Sequence, residues 1–186
     1  GVPAAQRTTM KLVKVNDAGV AVGCSAYSRA GEGCGHSVVY DGVTRTLTTL
    51  PDLGFGGGAT NVSTDSQTVT GMVVDAGHTA RAALWRNGAL QTIPVLGGDS
   101  EAMNISASGT VVGHLGTLTG FGAWMYRDNK VTMLDSLVPD SGWHLRDADG
   151  FNDREEVVGL GTIDGKDHAY QLNLGPCRVC VTDVQL

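Results

Sequence analysis

The chain has 186 residues, enough for one domain with a hydrophobic core. Hydrophobic residues make up 41% and charged residues 17%, a composition that excludes a disordered chain. The chain has 27 Gly but only 5 Pro, and it lacks a Gly-X-Y period, which excludes collagen. The net charge is −6 and the 13 Lys and Arg are scattered along the chain, which argues against a nucleic-acid partner. No apolar stretch reaches the roughly 18 residues that a membrane-spanning helix needs.

One phrase recurs four times along the chain. It reads VNDAGVAVG at 15–23, VSTDSQTVTG at 62–71, ISASGTVVG at 105–113 and FNDREEVVG at 151–159. The closing glycines, spaced 48, 42 and 46 residues apart, are Gly23, Gly71, Gly113 and Gly159. A second segment follows each phrase: HSVVY at 36–40, RAALW at 81–85, GAWMY at 122–126 and HAYQL at 168–172. A period in the forties with several strand-like pieces per unit predicts a propeller or solenoid.

Each unit is predicted to form four strands, which in the second unit are 59–63, 68–74, 81–85 and 89–96. Helical periodicity is absent, and only LDSLVPDSGW is a candidate for a single helical turn. The tail CRVCVTDVQL can supply the last strand of the fourth unit. We therefore predict an all-β, β-propeller-like fold of about four blades with four antiparallel strands each, closed into a ring. The single domain 1–186 divides into blades at roughly 6–50, 51–96, 97–137 and 138–186.

The repeated phrase is interpreted as a structural unit and not as a catalytic one. Its polar centre suits the tight turn between the first two strands of a blade, because Asn, Asp and Gly tolerate positive φ. Its valines are predicted to pack between blades, and its closing glycine to permit close approach of the inner strands.

The chain resembles the HAF repeats of bacterial extracellular proteins over residues 12–174. The segment HAY at 168–170 matches the His-Ala-Phe strand of the family, HSV at 36–38 matches it less well, and LGGDSEAMNIS at 96–106 matches its connector. The resemblance implies secretion and a propeller-like fold, and it implies no reaction. The chain does not begin with Met, and its start lacks a signal peptide, so we expect a mature or trimmed form.

Four cysteines in an exported protein suggest disulfides. The preferred local scheme pairs Cys24 with Cys34 and Cys177 with Cys180. Three alternatives stay open: cross-bridges between the first and last blades, a zinc site made by all four thiols, and a redox-active CRVC motif.

No catalytic or cofactor motif is found, so we assign no catalytic residue, cofactor or metal. The two histidines at equivalent positions, His36 and His168, are predicted to donate to a neighbouring backbone, and Trp85 and Trp124 to pack between blades. Loops that differ among the four units are predicted to share one propeller face, where functional residues gather. The candidate ligand-binding residues there are Asp75, His78, Trp143, His144, Asp164 and Asp167, although core anchoring is the favoured role of Trp143.

Three functional hypotheses follow. The first is an extracellular or cell-surface module that binds or scaffolds a glycan, peptide or protein partner. The second is a secreted hydrolase or lyase that pairs Asp75 or Asp164 with His78 or His144. The third is a purely structural surface repeat, or an oligomer in which the chain is part of a larger ring.

Overall fold

The computed structural model describes residues 10–25, 34–95, 97–117, 120–175 and 180–184. These residues form four antiparallel sheets of four to five strands, which confirms the predicted all-β, propeller-like fold. The expected helical turn is a 3-10 turn at Leu134–Leu137. Among the described residues, no helix has the length and apolar character needed to cross a membrane.

The first two sheets are simple four-stranded meanders in chain order. The first sheet consists of β1 (Met10–Val15), β2 (Val20–Ser25), β3 (His36–Asp41) and β4 (Thr46–Thr49). The second consists of β5 (Gly57–Val62), β6 (Thr68–Val74), β7 (Ala80–Arg86) and β8 (Ala89–Thr92). Strand β8 ends four residues before the predicted boundary at 96. Pro94 has no N–H to donate to a ladder, and the neighbouring Ile93 and Val95 are instead buried in the core.

The third sheet repeats this order and the fourth departs from it at its first strand. The third consists of β9 (Ser100–Ile105), β10 (Val111–Thr117), β11 (Gly120–Arg127) and β12 (Lys130–Met133). The fourth consists of β13 (His144–Leu145), β14 (Gly150–Phe151), β15 (Glu156–Ile163), β16 (Lys166–Asn173) and β17 (Cys180–Asp183). Strands β13 and β14 share the position that β9 holds in the third sheet. They are separated where the N–H groups of Arg146 and Asp147 both donate to the carbonyl oxygen of Leu160, an arrangement that interrupts the ladder.

The repeated phrase forms the first hairpin of each sheet and has the structural role predicted for it. In the first copy, the Asn16 side-chain oxygen accepts hydrogen bonds from the N–H groups of Ala18 and Val20, and Gly19 has a φ of +78°. A Cβ atom on the closing glycine would overlap a carbonyl oxygen of the inner strand in all four sheets. Those oxygens belong to Lys11, Gly58, Glu101 and Asp147. Only glycine allows the first two strands to approach this closely.

Three hydrophobic cores lie between successive sheets. Val22 of the first sheet packs with Val69 and Trp85 of the second, and Leu84 of the second packs with Trp124 of the third. The third core joins the third and fourth sheets, where the hydroxyl of buried Tyr170 donates to the carbonyl oxygen of Asp147 at 2.7 Å. Strands β2 and β6 contact the first strand of the following sheet, as in a propeller.

The predicted closure of the ring is not observed in the part of the chain that the structure describes. Among the described residues, no packing comparable to these three interfaces joins the first sheet to the fourth. The first sheet therefore exposes the face that would meet a preceding blade, and the fourth exposes the face that would meet a following one.

Candidate functional site

The first strands of the sheets surround a central channel. A cavity of about 390 Å³ in it is lined by residues from all four sheets. Its charged residues are Lys11 and Lys14 from β1, Glu101 from β9, and Asp149 directly before β14. Inner-strand residues meet here because the strands of each sheet run in chain order from the axis outward.

Glu101, which lines this cavity, faces His114. They are opposite residues on the antiparallel strands β9 and β10, and Glu101 Oε2 lies 3.9 Å from His114 Nε2. Burial raises the pKa of Glu101, although the adjacent imidazole favours the charged carboxylate. His114 Nδ1 is buried and makes no hydrogen bond to the described residues. The pair thus joins a carboxyl group of raised pKa to an imidazole with an unused ring nitrogen.

Asp149 brings a second acidic group of raised pKa to the channel. Burial is the main cause, the nearby charge of Asp147 adds to it, and His114 opposes it. The Asn104 side chain donates to the backbone oxygen of Asp149 at 3.3 Å and so connects β9 to the fourth sheet. With two exposed lysines from β1, the channel holds both signs of charge. Its carboxyl groups are partly desolvated, which makes their electrostatic contacts to a ligand stronger than in bulk water.

The remaining lining is adaptable and apolar. Met72 and Met103 contribute flexible thioethers, and the Cys24–Cys34 disulfide lies beside Gly58 and Ala59. None of the described lining residues is aromatic. The described lining therefore provides charged groups and flexible apolar side chains for contact with a ligand, and no aromatic ring on which a sugar could stack.

The sequence analysis did not single out Lys11, Lys14, Glu101, His114 or Asp149. Aligning the four units on their closing glycines would have revealed the charged residues of the inner strands. The inner-strand residue beside each closing glycine is Lys11, Gly58, Glu101 or Asp147. Three charged residues at one inner position of a repeat would have indicated a charged axis.

Asp75 and His78, predicted ligand-binding residues, lie together in the turn between β6 and β7. Asp75 accepts hydrogen bonds from the N–H groups of Gly77 and Thr79 and pairs with Arg81 at 2.7 Å. The Arg81 hydrogen bond is the main cause of the lowered pKa of Asp75. His78 has a φ of +58°, and its ring meets the edge of Phe55. The Asp75 carboxylate is thus occupied by its own turn and by Arg81.

Trp143 has the core role that the sequence favoured. Its ring makes edge contacts with His168 and Tyr170, with centroids 6.2 and 6.1 Å apart, and it packs against the third core. It anchors the connector before β13.

The other predicted candidates lie in exposed segments of the fourth sheet or next to it. His144 Nδ1 lies 2.6 Å from Asp135 Oδ2, and Asp167 pairs with Arg146 at 2.7 Å. Asp164 has a φ of +51° in the turn between β15 and β16. The imidazole of His144 therefore meets a carboxylate other than those predicted to pair with it.

The two histidines at equivalent repeat positions also meet carboxylates, and not the backbone acceptors expected. His36 Nδ1 lies 2.8 Å from Asp52 Oδ2, and His168 Nδ1 lies 3.1 Å from Asp183 Oδ1. Each carboxylate is on a segment that follows the strand carrying its histidine. The pairs tie the third strand of a sheet to the chain that comes after it.

The predicted Cys24–Cys34 disulfide is confirmed, with the Cα atoms 5.5 Å apart. This bond removes two of the four thiols that the zinc and cross-bridge alternatives need, so both are wrong. Cys180 is exposed and free in the structure. Its expected partner Cys177 lies outside the described residues, and the second disulfide stays a prediction, as does the redox-active CRVC alternative.

No protein-family model matches the chain, and no curated protein sequence is significantly similar to it. The crystal structure of TolB from Acinetobacter baumannii is similar in fold, with a TM-score of 0.59 and 12% sequence identity. The match covers 96% of this chain and 44% of the TolB chain, so this chain spans less than half the length of TolB. TolB is a β-propeller protein, and the likeness supports the propeller-like arrangement of the four sheets.

Proposed function

We propose that this chain is an extracellular binding module of the HAF-repeat type, which takes a charged peptide segment of a protein partner in its central channel. The observation that carries the proposal is the 390 Å³ cavity with Lys11 and Lys14 on one strand and Glu101 and Asp149 on others. Propeller scaffolds bring many short strands to one axis, and such concave sites suit ligand binding.

Several features favour a peptide over a glycan. A peptide carries amides and charges of both signs, which match a channel lined by lysines, carboxyl groups and the amides of Asn61 and Asn104. The lining thioethers adapt to different side chains. Sugar sites generally stack the ring on an aromatic side chain, and the candidate for that role, Trp143, is engaged in packing.

Two observations support the extracellular setting. The Cys24–Cys34 disulfide is typical of an oxidising compartment. The His-Ala-Tyr segment at 168–170 and its partners in the other sheets occupy equivalent strands, as repeats of one family should.

Binding to an array of short acidic, basic and zwitterionic peptides, followed by calorimetry, tests the proposal. We expect K14E and D149N each to weaken the best peptide about 10-fold or more, because each removes a charge contact from a partly desolvated site. K166E, which makes the same charge reversal on strand β16 away from the channel, is the matched control and should bind as the parent does. Binding that is unchanged in both channel variants, or confined to a glycan panel, would overturn the proposal.

A secreted hydrolase or lyase is a second candidate, favoured by one observation. Glu101, with its raised pKa, faces His114, and such a pair suits general acid–base work. A panel of ester, peptide and glycoside substrates tests this candidate. The hydrolase or lyase candidate requires turnover of a substrate that is lost in both E101Q and H114A and retained in K166E. If no substrate is converted, the candidate is wrong.

A further inference from the structure

Several charged groups that line the central channel have no partner among the described residues. Elsewhere in the protein, carboxylates such as Asp75 pair with a nearby arginine, in that case Arg81 at 2.7 Å. Lys11 and Lys14 line the channel and form no ion pair within the described parts of the chain. The carboxylate of Asp149 lines the same cavity and accepts no hydrogen bond from the described residues. Both signs of charge are therefore free to contact a ligand.

The Asn61 side chain adds a buried hydrogen-bond donor to the channel lining. Asn61 is 5% exposed, and its side-chain oxygen accepts a hydrogen bond from the N–H of Val62 at 2.7 Å. This contact identifies the other end of the amide as the NH₂ donor, because an N–H group needs an acceptor opposite it. The NH₂ group has no hydrogen-bond partner among the described residues. Since buried amides normally have partners, this donor is suited to an acceptor atom of a ligand.

The equivalent residue of the third sheet shows where this donor is directed. Asn104 makes the same contact, in which its side-chain oxygen accepts from the N–H of Ile105 at 2.8 Å. Its NH₂ group then donates to the backbone oxygen of Asp149 in the next sheet at 3.3 Å. With the same orientation, the Asn61 NH₂ group points along the channel wall toward the third sheet, where it finds no acceptor among the described residues. Of the two asparagines, only Asn61 is thus left for a ligand.

The free donors and the carboxylates lie on different sheets. The donors Lys14 and Asn61 belong to the first and second sheets, and the carboxylates Glu101 and Asp149 to the third and fourth. Lys14 and Asn61 are paired with the residue directly before the closing glycine of their sheet, and Glu101 with the residue directly after it. These backbone levels are two residues of the partner strand apart, which is about 7 Å at the rise of a β-strand. A ligand that meets both sets of groups must hold opposite charges at a similar separation.

The donor set of the first two sheets fits a carboxylate. The ammonium groups of Lys11 and Lys14 and the amide of Asn61 provide several donors, and a carboxylate has two oxygens with about four acceptor sites. The carboxylates of Glu101 and Asp149 fit an ammonium or guanidinium group, because neither accepts a hydrogen bond from the described residues. A C-terminal lysine or arginine carries both groups in one residue. Its extended side chain has a length comparable to the separation of the two levels.

We propose that the peptide taken by the channel ends in lysine or arginine, with its α-carboxylate bound by Lys14 and Asn61 and its side-chain cation bound by Asp149 and Glu101. This inference rests on the proposed function and specifies which part of a partner protein enters the channel. A free chain end is required, because an internal lysine or arginine has no α-carboxylate.

Matched peptides test the inference in calorimetric titrations of the parent protein. The first peptide ends in lysine with a free carboxylate, the second is its C-terminal amide, and the third ends in norleucine, which lacks the ammonium group. A fourth is amidated and carries an internal Glu-Lys pair, which supplies the carboxylate from a side chain. We expect the second, third and fourth peptides each to bind about 10-fold or more weakly than the first.

The outcomes separate this inference from the proposed function. If the amidated peptide or the internal Glu-Lys peptide binds as tightly as the first, the terminal carboxylate is not recognised, and the proposed function stands without this inference. If the norleucine peptide binds as tightly as the first, the cation site is wrong in the same way. If none of the peptides binds, both the proposed function and this inference are overturned.

Two variants assign the two halves of the ligand to their residues. N61D keeps the oxygen that accepts from the N–H of Val62 and replaces the NH₂ donor with a carboxylate oxygen. We expect N61D to lose the preference for the free carboxylate over the amide and to keep the preference for lysine over norleucine. D149N should show the reverse pattern, because it removes a charge that faces the cation.

The matched control is N87D, which makes the same chemical change in the exposed turn between β7 and β8. It should keep both preferences at the values of the parent protein. Circular dichroism confirms that the variants keep their sheets. Loss of both preferences to the same extent in N61D and D149N would overturn the assignment of the two subsites, as would no change of either preference in both variants.

Discussion

At the residue scale, the closing glycines are required because they have no side chain. Each lies where a carbonyl oxygen of the first strand comes so close that a Cβ atom cannot fit. The space is taken up by neighbouring groups, including the Trp124 ring beside Gly113 and the Tyr170 ring beside Gly159. Substitution at these positions must displace backbone, which is costly in a close-packed interior.

Gly113 and Gly116 lie on the same strand, β10, and form a matched pair for substitution by Ala. A Cβ at Gly116 would make only ordinary contacts, the nearest at 3.6 Å to Phe121, whereas one at Gly113 would overlap the carbonyl oxygen of Glu101. We expect G113A to lower the free energy of unfolding by about 1–3 kcal/mol or more. G116A should change it by less than about 0.5 kcal/mol. Urea denaturation measures both, and equal effects would contradict the role given to the closing glycine.

Glu101 should give the stability a specific pH dependence. Its pKa is higher in the folded protein than in the unfolded chain, so the folded protein binds more protons in the window between the two values. The free energy of unfolding therefore falls as the pH rises from about 4.3, the ordinary Glu value, to the raised folded value. E101Q should make this fall smaller, and the part due to Asp149, whose pKa is also raised, should remain.

Asp75 should affect the pH dependence of the free energy of unfolding in the opposite direction. Its pKa is lowered, so it contributes stability above its ordinary pKa of about 3.9 and loses it as the pH falls. D75N should therefore flatten the stability profile below about pH 4 and leave the window of Glu101 unchanged. Urea titrations at half-unit pH intervals measure both profiles, and identical profiles for E101Q and the parent would contradict the assignment to Glu101.

At the element scale, the sequence revealed the strands and turns more reliably than the ends of elements or the contacts between sheets. The paired turn residues Asn87–Gly88 and Asp128–Asn129 adopt the positive φ values that their composition predicts. The end of β8 was misplaced because a run of apolar residues looks alike in a strand and in a buried connector. The channel residues were missed because Glu101, His114 and Asp149 meet only through strand register and sheet order, which residue spacing does not reveal.

The two buried tryptophans of the middle sheets differ in one hydrogen bond. Trp85 Nε1 donates to the carbonyl oxygen of Pro51 at 2.8 Å and ties β7 to the connector before β5, whereas the buried Trp124 Nε1 makes no hydrogen bond to the described residues. Replacement by Phe removes similar volume at both sites. We expect W85F to be about 1–2 kcal/mol more destabilising than W124F in chemical denaturation, because it leaves the Pro51 oxygen without its donor. Equal losses would show that this bond contributes no net stability.

The Cys24–Cys34 disulfide closes the segment between β2 and β3. In the chain-entropy account, a loop with this sequence separation of 10 contributes about 2–3 kcal/mol. C24A/C34A in a C180S background should lose about this amount in thermal or urea unfolding. Dithiothreitol should lower the stability of the C180S parent by a similar amount and leave the double variant unchanged. A reductant effect of equal size on both proteins would contradict the assignment.

At the scale of the whole molecule, each sheet is stabilised through its neighbours, and within the described parts of the chain the first and fourth sheets each pack on one neighbouring sheet. The first two interfaces have the same construction, with the second strand of one sheet against the first strand of the next, whereas in the third β11 contacts β13 and β9 contacts β14. Stability in such an array is close to a sum over units and interfaces, so it should decrease toward uncovered ends. All six residues of β1 are exposed, whereas β5, which has the same place in the second sheet, is almost entirely buried.

Hydrogen exchange should report this gradient. We expect the amides of β1 to exchange about 10- to 100-fold faster than those of the buried strand β5, because local opening of an exposed strand costs less free energy. Mass spectrometry of peptic fragments resolves the two strands. Equal protection of β1 and β5 would contradict the decrease in stability toward the first sheet.

Because the first two junctions between sheets are built in the same way, neither of them specifies how many units the array contains. Duplicating or deleting the second unit by recombination creates no kind of contact that the protein does not already make. Selection can therefore act on whole units as well as on single residues, and descendants of one ancestral gene should differ by complete blades more readily than by parts of one.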